Sequence, residues 1–451
     1  MMKNIKKTYY YLKRNGLIPT YYAAKERLLE KMHTNYQYVQ TADEVLKKQR
    51  DEVYGQDVPL ISILVPAYRT PEMYLRALID SVKAQTYPHW ELVIADASED
   101  DSVLQTIKTY HQDVISYHGM VEEMNLKSNM QNVDLGDIRQ GIRYVRLEKN
   151  AGISDNTNAG LEYCSGAYTA LLDHDDLLTP DALYEMTRVL DEDPILVYSD
   201  EDKCDETGRL YFDYHCKLDF NYDLFLTNNY ICHFTMIETK VLQNLRFRRE
   251  YDGAQDFDLF LRVVSEAFDT KRVICHIPKV LYHWRSHTGS TSENPQSKLY
   301  AYTAGKRAVQ DHLDSRGISA TVTESRHVGF YRVDYQGGYF VARPEVGAVV
   351  PKCKGRKYLK ATFYDKDGQF PFAGLPKYFG GYMHRANLQQ EVYAGETAYL
   401  QVKPELQKEV NDLIEQNKKR GKDSVEISFC VADYLHERGY ICVFDPGEEN
   451  L

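Results

Sequence analysis

An apolar run followed by three aspartates and a histidine has the chemistry of a divalent-cation site. The run is YTALL (168–172), and Asp173-His174-Asp175-Asp176 comes directly after it. Carboxylates crowded at the end of a buried strand repel one another, and Mg²⁺ or Mn²⁺ is a common means of neutralising them. The alternative is a helix N-terminus, because Asp175 and Asp176 can also cap a helix that starts near Thr179-Pro180.

A second group of polar side chains, Tyr282-His283-Trp284-Arg285, follows a strand predicted near Ile277. A neutral His283 imidazole can bind a metal or hydrogen-bond to phosphate, and the Arg285 guanidinium can hold phosphate oxygens in a bidentate manner. Trp284 is one of only two tryptophans and can stack on a sugar ring. Packing in the core is the alternative for each of these three side chains.

Asparagines and a glycine form the pattern N-x-G-x-x-x-N-x-N at the start of a helix predicted over 153–163. They are Asn150, Gly152, Asn156 and Asn158. Glycine lets the backbone approach a ligand, and a helix start offers N–H groups to phosphate. Helix capping is the alternative for Asn150.

The elements that must position these groups alternate between strand and helix, which predicts an α/β fold with a mostly parallel sheet. In such sheets ligands bind at the carboxyl ends of the strands, where Pro66-Ala67-Tyr68, Asp96 and the acidic turn lie. Neither a G-x-G-x-x-G after the first strand nor a G-x-x-x-x-G-K-[ST] is present, so a dinucleotide site and a P-loop are excluded. The predicted strands are LISILVP (60–66), ELVIAD (91–96), IRYVRLE (142–148) and YTALLDHDD (168–176).

The composition is that of a soluble globular protein, with 43% hydrophobic and 27% charged residues in a chain of 451. The net charge of −11 argues against nucleic acid as a partner. Residues 1–35 carry eight Lys and Arg against two Glu, a net +6, so the rest carries −17. This basic arm suits a peripheral contact with an anionic membrane, and an arm packed on its own domain is the alternative. The start lacks the apolar stretch of a signal peptide, which predicts a cytoplasmic location.

These motifs together resemble glycosyltransferase family 2, over about residues 59–316, and the later ones resemble its polysaccharide-assembly branch. The resemblance implies the GT-A fold and Mn²⁺ or Mg²⁺. It also implies an inverting transfer from a nucleotide-diphosphate sugar to a hydroxyl of a cell-surface polysaccharide or lipid-linked glycan. The motifs are PLISILVPAYRTPEMYLRALIDSVKAQTYPHWELVIADAS, NAGISDNTNAG, LLDHDDLLTPDAL, YSDEDK, NNYICHF, YDGAQDFDLFLR and IPKVLYHWRSHTGSTSENP.

The resemblance implies a donor site and a metal site. Asp96 would accept a hydrogen from the base or ribose, and Asp173 would touch the ribose or a sugar hydroxyl. Asp175 would be the main metal ligand, with Asp173 and His283 as further ligands. The other implied donor-binding residues are Pro66, Ala67, Tyr68, Asn150, Gly152, Asn158 and Arg285.

The resemblance also implies a carboxylate base for the acceptor hydroxyl. Asp256 is the candidate and Asp258, two residues on, is the reserve; one of the two is expected only to charge the start of a helix. Trp284 and Asp258 are the predicted acceptor-binding residues. His287 and the turn Gly289-Ser290-Thr291 are predicted to form a closing loop.

Three parts are predicted: a basic helical arm (1–55), a GT-A domain (56–318) and a smaller α/β domain (319–451). The last part resembles the back half of a second family 2 domain and lacks a D-x-D. We interpret it as a non-catalytic remnant that binds acceptor or supports a homodimer. An unrelated α/β cap is the alternative.

Two other functions compete with glycosyl transfer: a nucleotidyltransferase and a non-catalytic sugar-binding scaffold. PAYRTPEMY lacks the glycines of a nucleotidyltransferase loop, and the intact Asp96, Asp173, Asp175 and Asp256 argue against a scaffold. The donor implied by the resemblance is a UDP-hexose, a UDP-N-acetylhexosamine or dTDP-rhamnose.

Overall fold

The computed structural model describes residues 2–33, 36–52, 58–110, 114–118, 140–287 and 299–447. The chain divides into two compact units. The first comprises residues 36–220 and 230–308, and the second comprises residues 1–35, 221–229 and 309–451. The three-part division at residues 55 and 318 stays a prediction.

The strands and helices have the following bounds. The strands are β1 (Ile61–Ala67), β2 (Trp90–Asp96), β3 (Val114–His118), β4 (Gln140–Arg146), β5 (Tyr168–Leu171), β6 (Leu177–Leu178), β7 (Leu196–Cys204), β8 (Tyr211–His215), β9 (Thr235–Glu238), β10 (Ile274–Arg285), β11 (Ala320–Glu324), β12 (Tyr331–Tyr335), β13 (Val346–Pro351), β14 (Phe363–Tyr364), β15 (Gln390–Val392), β16 (Ala394–Gly395), β17 (Gln401–Val402) and β18 (Ile441–Asp445). The helices are α1 (Met2–Asn15), α2 (Leu17–His33), α3 (Asp43–Arg50), α4 (Glu72–Lys83), α5 (Ser102–Lys108), α6 (Ile153–Leu161), α7 (Ala182–Thr187), α8 (Tyr222–Thr227), α9 (Thr239–Leu245), α10 (Gln255–Thr270), α11 (Leu299–Ser315), α12 (Tyr339–Ala342), α13 (Gln407–Lys419) and α14 (Ser424–His436).

The unit containing residues 36–220 and 230–308 is built on one large sheet with the order β3-β4-β2-β1-β5-β9-β7-β10-β6. The pairs β1–β2, β2–β4, β1–β5 and β7–β10 are parallel, whereas β9 runs antiparallel between β5 and β7. The predicted α/β class with a mostly parallel sheet is thus confirmed. The parallel strands bring Ala67 and Asp96 to the same edge of the sheet.

The core explains why the first strands could be predicted from the sequence. Residues 61–65 of β1 are all buried. Since successive side chains of a strand point to opposite faces, both faces of this strand are covered. A strand covered on both faces is a continuous apolar run rather than an alternating one.

Helix α6 lies against β1 and β2 with almost no space between them. A Cβ atom built on Gly160 would come within 2.7 Å of the Ala95 Cβ and 2.7 Å of the Leu64 Cδ1. The glycine therefore sets the distance between the helix and the sheet. This distance fixes the loop before α6, which carries Asn150 and Gly152.

The unit containing residues 309–451 has a four-stranded sheet with the order β15-β18-β13-β17. Strands β13 and β18 are parallel, and α14 begins with a capping box between Asp423 and Glu426. This confirms a smaller α/β part with sheets of its own. Its predicted likeness to half of a second family 2 domain stays a prediction.

The short helix α8 belongs to this unit although it lies far from the C-terminal region in sequence. The Asp223 carboxylate pairs with the Arg343 guanidinium at 3.0 Å, and both side chains are buried. Asn221 caps α8 by accepting from the Leu224 N–H and exchanges two hydrogen bonds with the Glu391 backbone.

Among the residues that the structure describes, no helix combines the length and apolar character that crossing a membrane requires.

Candidate functional site

The ends of β1 and β2 form the first part of the site. Ala67 is buried and Pro66 is half-buried. The Tyr68 hydroxyl donates to Glu99 Oε1 at 3.0 Å, and Arg69 binds the same carboxylate through two N–H groups at 2.8 and 2.9 Å. The hydrogen bond from Arg69 lowers the pKa of Glu99 to about 2, so this rim of the site carries an exposed ion pair.

Asp96 ends β2 and is completely buried. Its Oδ1 accepts from the Ser98 N–H at 2.9 Å, and its Oδ2 accepts from the Tyr144 hydroxyl at 2.9 Å. Arg146 lies 3.4 Å from the same oxygen. The carboxylate therefore orders the strand ends through protein contacts, and its predicted contact with a base or ribose stays a prediction.

The N-x-G-x-x-x-N pattern builds the loop that precedes α6. Asn150 Oδ1 accepts from the Gly152 N–H at 3.1 Å and from Asn156 Nδ2 at 2.9 Å, while Asn156 Oδ1 accepts from the Ala151 N–H at 3.1 Å. Gly152 has a φ of 100°, and a Cβ there would lie 3.0 Å from Asp252 Oδ2. The side-chain amides of Asn150 and Asn156 therefore hold the loop.

Asn158 has a different surrounding from the other residues of the pattern. Its Nδ2 donates to the Phe247 carbonyl at 2.8 Å and its Oδ1 accepts from the Phe247 N–H at 2.9 Å. Both ends of the amide therefore join α6 to the segment after α9. Its predicted donor-binding role stays a prediction.

The three carboxylates of the acidic turn lie in different environments. Asp173 is 53% exposed, Asp175 is largely buried and Asp176 is fully buried. Asp176 accepts from the Tyr282 hydroxyl and, at 2.7 Å, from the Arg285 N–H. Burial, followed by the charges of Asp175 and Asp173, raises the pKa of Asp176 well above its ordinary value. Asp176 thus joins the turn to β10, and Asp173 and Asp175 remain as the D-x-D pair.

The structure places the predicted side chains His283 and Arg285 of β10 in different surroundings. His283 Nδ1 lies 2.5 Å from Asp202 Oδ1, whereas His287, beyond the end of β10, lies next to the acidic turn, with Nε2 2.8 Å from Asp175 Oδ2. Arg285 is buried and its Nε donates to the Asp175 carbonyl at 2.5 Å. The guanidinium therefore shapes the turn. The predicted closing turn at 289–291 lies outside the described residues.

Asp256 and Asp258 differ in their partners. Asp258 is buried between Arg248, whose Nε lies 3.1 Å from Oδ2, and Arg262, whose terminal N–H group donates to Oδ2 at 2.8 Å. Asp256 lies in the first turn of α10. Burial raises the pKa of Asp256, partly opposed by the backbone hydrogen bond at Phe257 and then by the charge of His233. Asp258 thus lies in an ion-pair network, and Asp256 is the carboxylate whose pKa burial raises above its ordinary value.

Sequence reasoning missed His233, which lies beside the acidic turn. Its Nε2 is 3.7 Å from Asp173 Oδ2 and its Nδ1 is 3.3 Å from Glu201 Oε2. Its ring stacks on Tyr282 with centroids 4.9 Å apart. Burial alone would lower the pKa of His233, but Glu201 and Asp173 raise it to about 9. The signal in the sequence was its place in NNYICHF, a motif already quoted for the resemblance.

Glu201 is the buried carboxylate that holds His233 in place. Besides His233 it contacts Lys217 Nζ at 3.2 Å and His215 Nδ1 at 3.2 Å. Burial alone would raise the pKa of Glu201, but the charge of Lys217, followed by the hydrogen bonds of His215 and His233, brings it well below its ordinary value. Lys217 also donates to the carbonyls of Ile231, at 2.6 Å, and His233.

The comparisons with known proteins bear on the same region. Residues 62–246 match Glycosyl transferase family 2. This part of the chain belongs to that family. The match includes the ends of β1 and β2, the loop before α6, the acidic turn and the β7 motif that carries Glu201, so the resemblance seen in the motifs is confirmed.

Two curated relatives are much longer than the part of them that this chain matches. It is 38% identical over 262 residues to an uncharacterized protein, y4gI, of Sinorhizobium fredii, covering 57% of this chain and 26% of that protein. It is 30% identical over 311 residues to the O-antigen biosynthesis protein RfbC of Myxococcus xanthus, covering 68% of this chain and 22% of that protein. The chain thus spans about a quarter of the length of these relatives.

A solved structure, S. aureus TarS 1–349 in complex with UDP-GlcNAc, is 18% identical and covers 56% of this chain and 66% of that chain. Its TM-score is 0.40.

In the family 2 domain, side chains of strand β7 make contacts on both faces of the sheet. Glu201 points to the face that carries His233, whereas Asp202 accepts from the Tyr36 hydroxyl at 2.6 Å and contacts His283 on the other face. Tyr36 begins an extended segment (36–42), which we call the strap. Farther along it, the Thr41 hydroxyl donates to Asp181 Oδ2 at 2.6 Å. The strap therefore fastens the rear of the strands that carry the site.

At the ends of β7 and β10, on the face of the sheet that carries His233, a tryptophan lies beside a lysine. Lys203 and Trp284 are register partners, and the Lys203 Nζ lies 5.6 Å from the centroid of the indole. The His233 ring is 5.4 Å from the same indole. A row of side chains thus runs from Asp173 through His233 to Trp284 and Lys203.

In the family 2 domain, the acidic turn could hold a divalent cation only if a bound ligand supplied further donor atoms. Among the described residues no group of three or more His, Cys, Asp or Glu side chains is arranged to hold a metal. Asp175 and His287 bring a carboxylate oxygen and an imidazole nitrogen within 2.8 Å of each other. Both are donor atoms that Mn²⁺ accepts, and a bound diphosphate would supply further oxygens.

Proposed function

We propose that this chain transfers a glycosyl group from a nucleotide-diphosphate sugar to an acceptor hydroxyl, with inversion at the anomeric carbon. The observation that carries the proposal is the position of Asp256. It lies in the first turn of α10 and has a raised pKa, whereas Arg248 and Arg262 bind Asp258. A carboxylate of this kind suits a general base that works near neutral pH.

The proposed step needs one base and one leaving group. Asp256 takes the proton of the acceptor hydroxyl while the oxygen forms a bond to the anomeric carbon. The bond from that carbon to the diphosphate oxygen breaks, and its electron pair leaves with the nucleoside diphosphate. Displacement from the face opposite the leaving group inverts the configuration.

We propose that Asp175 and His287 hold a divalent cation, with Asp173 near the sugar. When bound, Mn²⁺ or Mg²⁺ would stabilise the charge on the departing diphosphate. The contact between Asp175 and His287 supports His287 in the place where the sequence predicted His283. Backbone around Gly152 and the ends of β1 and β2 would receive the nucleotide.

The acceptor is proposed to be a glycan that stacks on Trp284. The family assignment and the name of the relative RfbC, an O-antigen biosynthesis protein, support a cell-surface polysaccharide or lipid-linked glycan. UDP and dTDP sugars are the proposed donors. The family match disfavours the nucleotidyltransferase alternative.

The test measures donor binding and catalysis separately. In a thermal-shift screen, nucleoside diphosphates with Mn²⁺ should raise the melting temperature of the wild type, because a ligand that binds only the folded state stabilises it. Asp256→Asn should keep this shift but lose transfer, measured as nucleoside diphosphate released in the presence of glycan acceptors. Transfer by Asp256→Asn at the wild-type rate would refute the assignment of the base. A chain that binds donors but releases nothing with any acceptor would be the scaffold alternative.

The metal pair is tested with matched histidine variants. His287→Gln and Asp175→Asn should lose the additional shift that Mn²⁺ gives to nucleotide binding, whereas His283→Gln should retain it. Loss in His283→Gln alone would restore the ligand predicted from the sequence and exclude His287.

A further inference from the structure

The outward side of the first two helices is apolar and basic. On α2, four large apolar side chains, Leu17, Ile18, Tyr21 and Leu28, are 61–77% exposed. Three of them follow helical spacing, since Leu17, Tyr21 and Leu28 are separated by four and seven residues and lie on one side of the helix. We call this outward side the arm face; it consists of Tyr9, Lys13, Leu17, Ile18, Tyr21, Lys25, Arg27 and Leu28, all of them exposed.

The opposite side of the same helices is fixed within its own unit. Glu26 is buried, and its carboxylate accepts from the N–H groups of Gly380 at 3.1 Å and Gly381 at 2.7 Å. The Tyr22 ring lies 4.6 Å from that of Tyr378. The arm thus packs on its own unit through this opposite side, and this packing leaves the apolar side chains of the arm face exposed.

The first helix is held in the same way. Arg14 donates to Glu324 Oε2 at 2.8 Å and to the Ser325 carbonyl at 2.8 Å. Asn15, at the end of α1, donates to the Arg326 carbonyl at 3.3 Å.

Helix α2 departs from the usual distribution of polar and apolar residues on a surface helix. Such a helix buries its apolar residues and exposes its charges, whereas α2 buries a glutamate and exposes two leucines. Exposed apolar area in one continuous patch commonly marks a surface that binds something.

The positive charge of residues 1–35 indicates which kind of partner the arm face binds. Residues 1–35 carry a net +6 on a chain whose remainder carries −17. Lys13, Lys25 and Arg27 stand beside the exposed leucines. Apolar side chains flanked by cations are the composition of helices that lie in the interface of an anionic membrane.

We propose that the arm face binds the surface of an anionic membrane. The leucines and tyrosines enter the boundary between headgroups and acyl chains, and the lysines and arginine lie against the anionic headgroups. This inference does not depend on the proposed glycosyl transfer, because no residue of the arm face belongs to the candidate site.

The experiment is co-sedimentation of the full chain with vesicles. One set contains phosphatidylcholine alone and the other phosphatidylcholine with phosphatidylglycerol. We expect the wild type to pellet with the anionic set only, and less strongly as salt is added. Lys25→Gln with Arg27→Gln should weaken anionic binding roughly 25-fold, at about fivefold per basic residue. Leu17→Ser with Leu28→Ser should abolish pelleting.

The control variant is Val341→Ser, which removes an exposed apolar side chain of the same unit outside the arm face and should bind like the wild type. Thermal melting of each variant confirms that it is folded.

The proposal is overturned if the wild type fails to pellet with anionic vesicles. It is also overturned if binding to both vesicle sets is equal, or if Leu17→Ser with Leu28→Ser instead dissolves a dimer seen by light scattering. Nucleotide-induced thermal shifts should be unchanged in all arm variants, so failure here leaves the proposed function standing.

Discussion

Asp258, two residues after Asp256, is a buried carboxylate held by two guanidinium groups. The sequence places both in the first turn of one helix, where either can serve as a base or as a helix charge. The deciding arginines, Arg248 and Arg262, are 10 residues before and four residues after Asp258. Which of them reaches which carboxylate depends on side-chain geometry, so the sequence could name the pair but not divide its roles.

We expect Asp258→Asn to destabilise the fold by about 2–3 kcal/mol, because both arginines lose the partner that neutralises them and are partly shielded from water. Urea unfolding measures this free energy. Asp256→Asn is the matched control and should change the free energy of unfolding by less than about 1 kcal/mol. Equal destabilisation by the two variants would contradict the division of roles.

His233 makes stability depend on pH. Its pKa is about 9, against an ordinary value of 6.5. A raised pKa means that the protonated imidazole stabilises the folded state. Its contribution is therefore complete below pH 6.5 and is lost as the pH rises through about 9.

We expect the melting temperature of the wild type to fall more steeply than that of His233→Gln between pH 6.5 and 9. Glu201→Gln should flatten the curve in the same way, since Glu201 supplies the charge that raises the pKa. Parallel curves for the wild type and His233→Gln would show that the imidazole is not held by these carboxylates.

At the scale of elements, the apolar strands could be predicted and the polar one could not. The predicted LISILVP and ELVIAD correspond to β1 and β2 to within a residue at each end. Strand β7 contains DEDK, which alone reads as a turn, yet Asp200, Glu201 and Asp202 are all buried in it. Partners distant in sequence neutralise them, and periodicity carries no information about those partners. Strand β3 was missed as well.

The close approach of α6 to the sheet gives a test at this scale. Alanine is ordinarily the better helix residue, by about 1 kcal/mol, but at Gly160 its Cβ would overlap the Ala95 and Leu64 side chains. We expect Gly160→Ala to cost about 1–3 kcal/mol of unfolding free energy. In urea unfolding, Asp155→Ala on the half-exposed side of α6 should change stability by only about 0.5 kcal/mol. Stabilisation by Gly160→Ala would show that the helix can move outward.

At the scale of the whole molecule, the unit around residues 309–451 gathers three stretches of chain, including α8. Composition and motifs predicted a C-terminal α/β part, but nothing in the sequence of residues 221–229 indicates that they belong to it. The assignment depends on Asp223 meeting Arg343 across 120 residues. Long-range pairs of this kind are set by the folded topology rather than by local pattern.

We expect Arg343→Met to cost about 3–5 kcal/mol in urea unfolding, because it leaves the Asp223 carboxylate buried without its partner. The double variant Asp223→Leu with Arg343→Met should recover most of that loss, since an apolar pair can replace a buried ion pair. No recovery would mean that the guanidinium contributes mainly through its other contacts, with Glu345 and Tyr335.

The contacts of β7 on both faces of the sheet limit where insertions and deletions can occur during evolution. A slip by one position that brought Asp202 to Lys217 would bring Lys203 to the place of Asp202, beside His283 and the tyrosine of the strap, where a carboxylate is needed. The strand thus tolerates only one alignment. Insertions are expected to accumulate beyond Cys204, in the turn that leads to β8, and deletions within the strand to be lethal to folding before they affect chemistry.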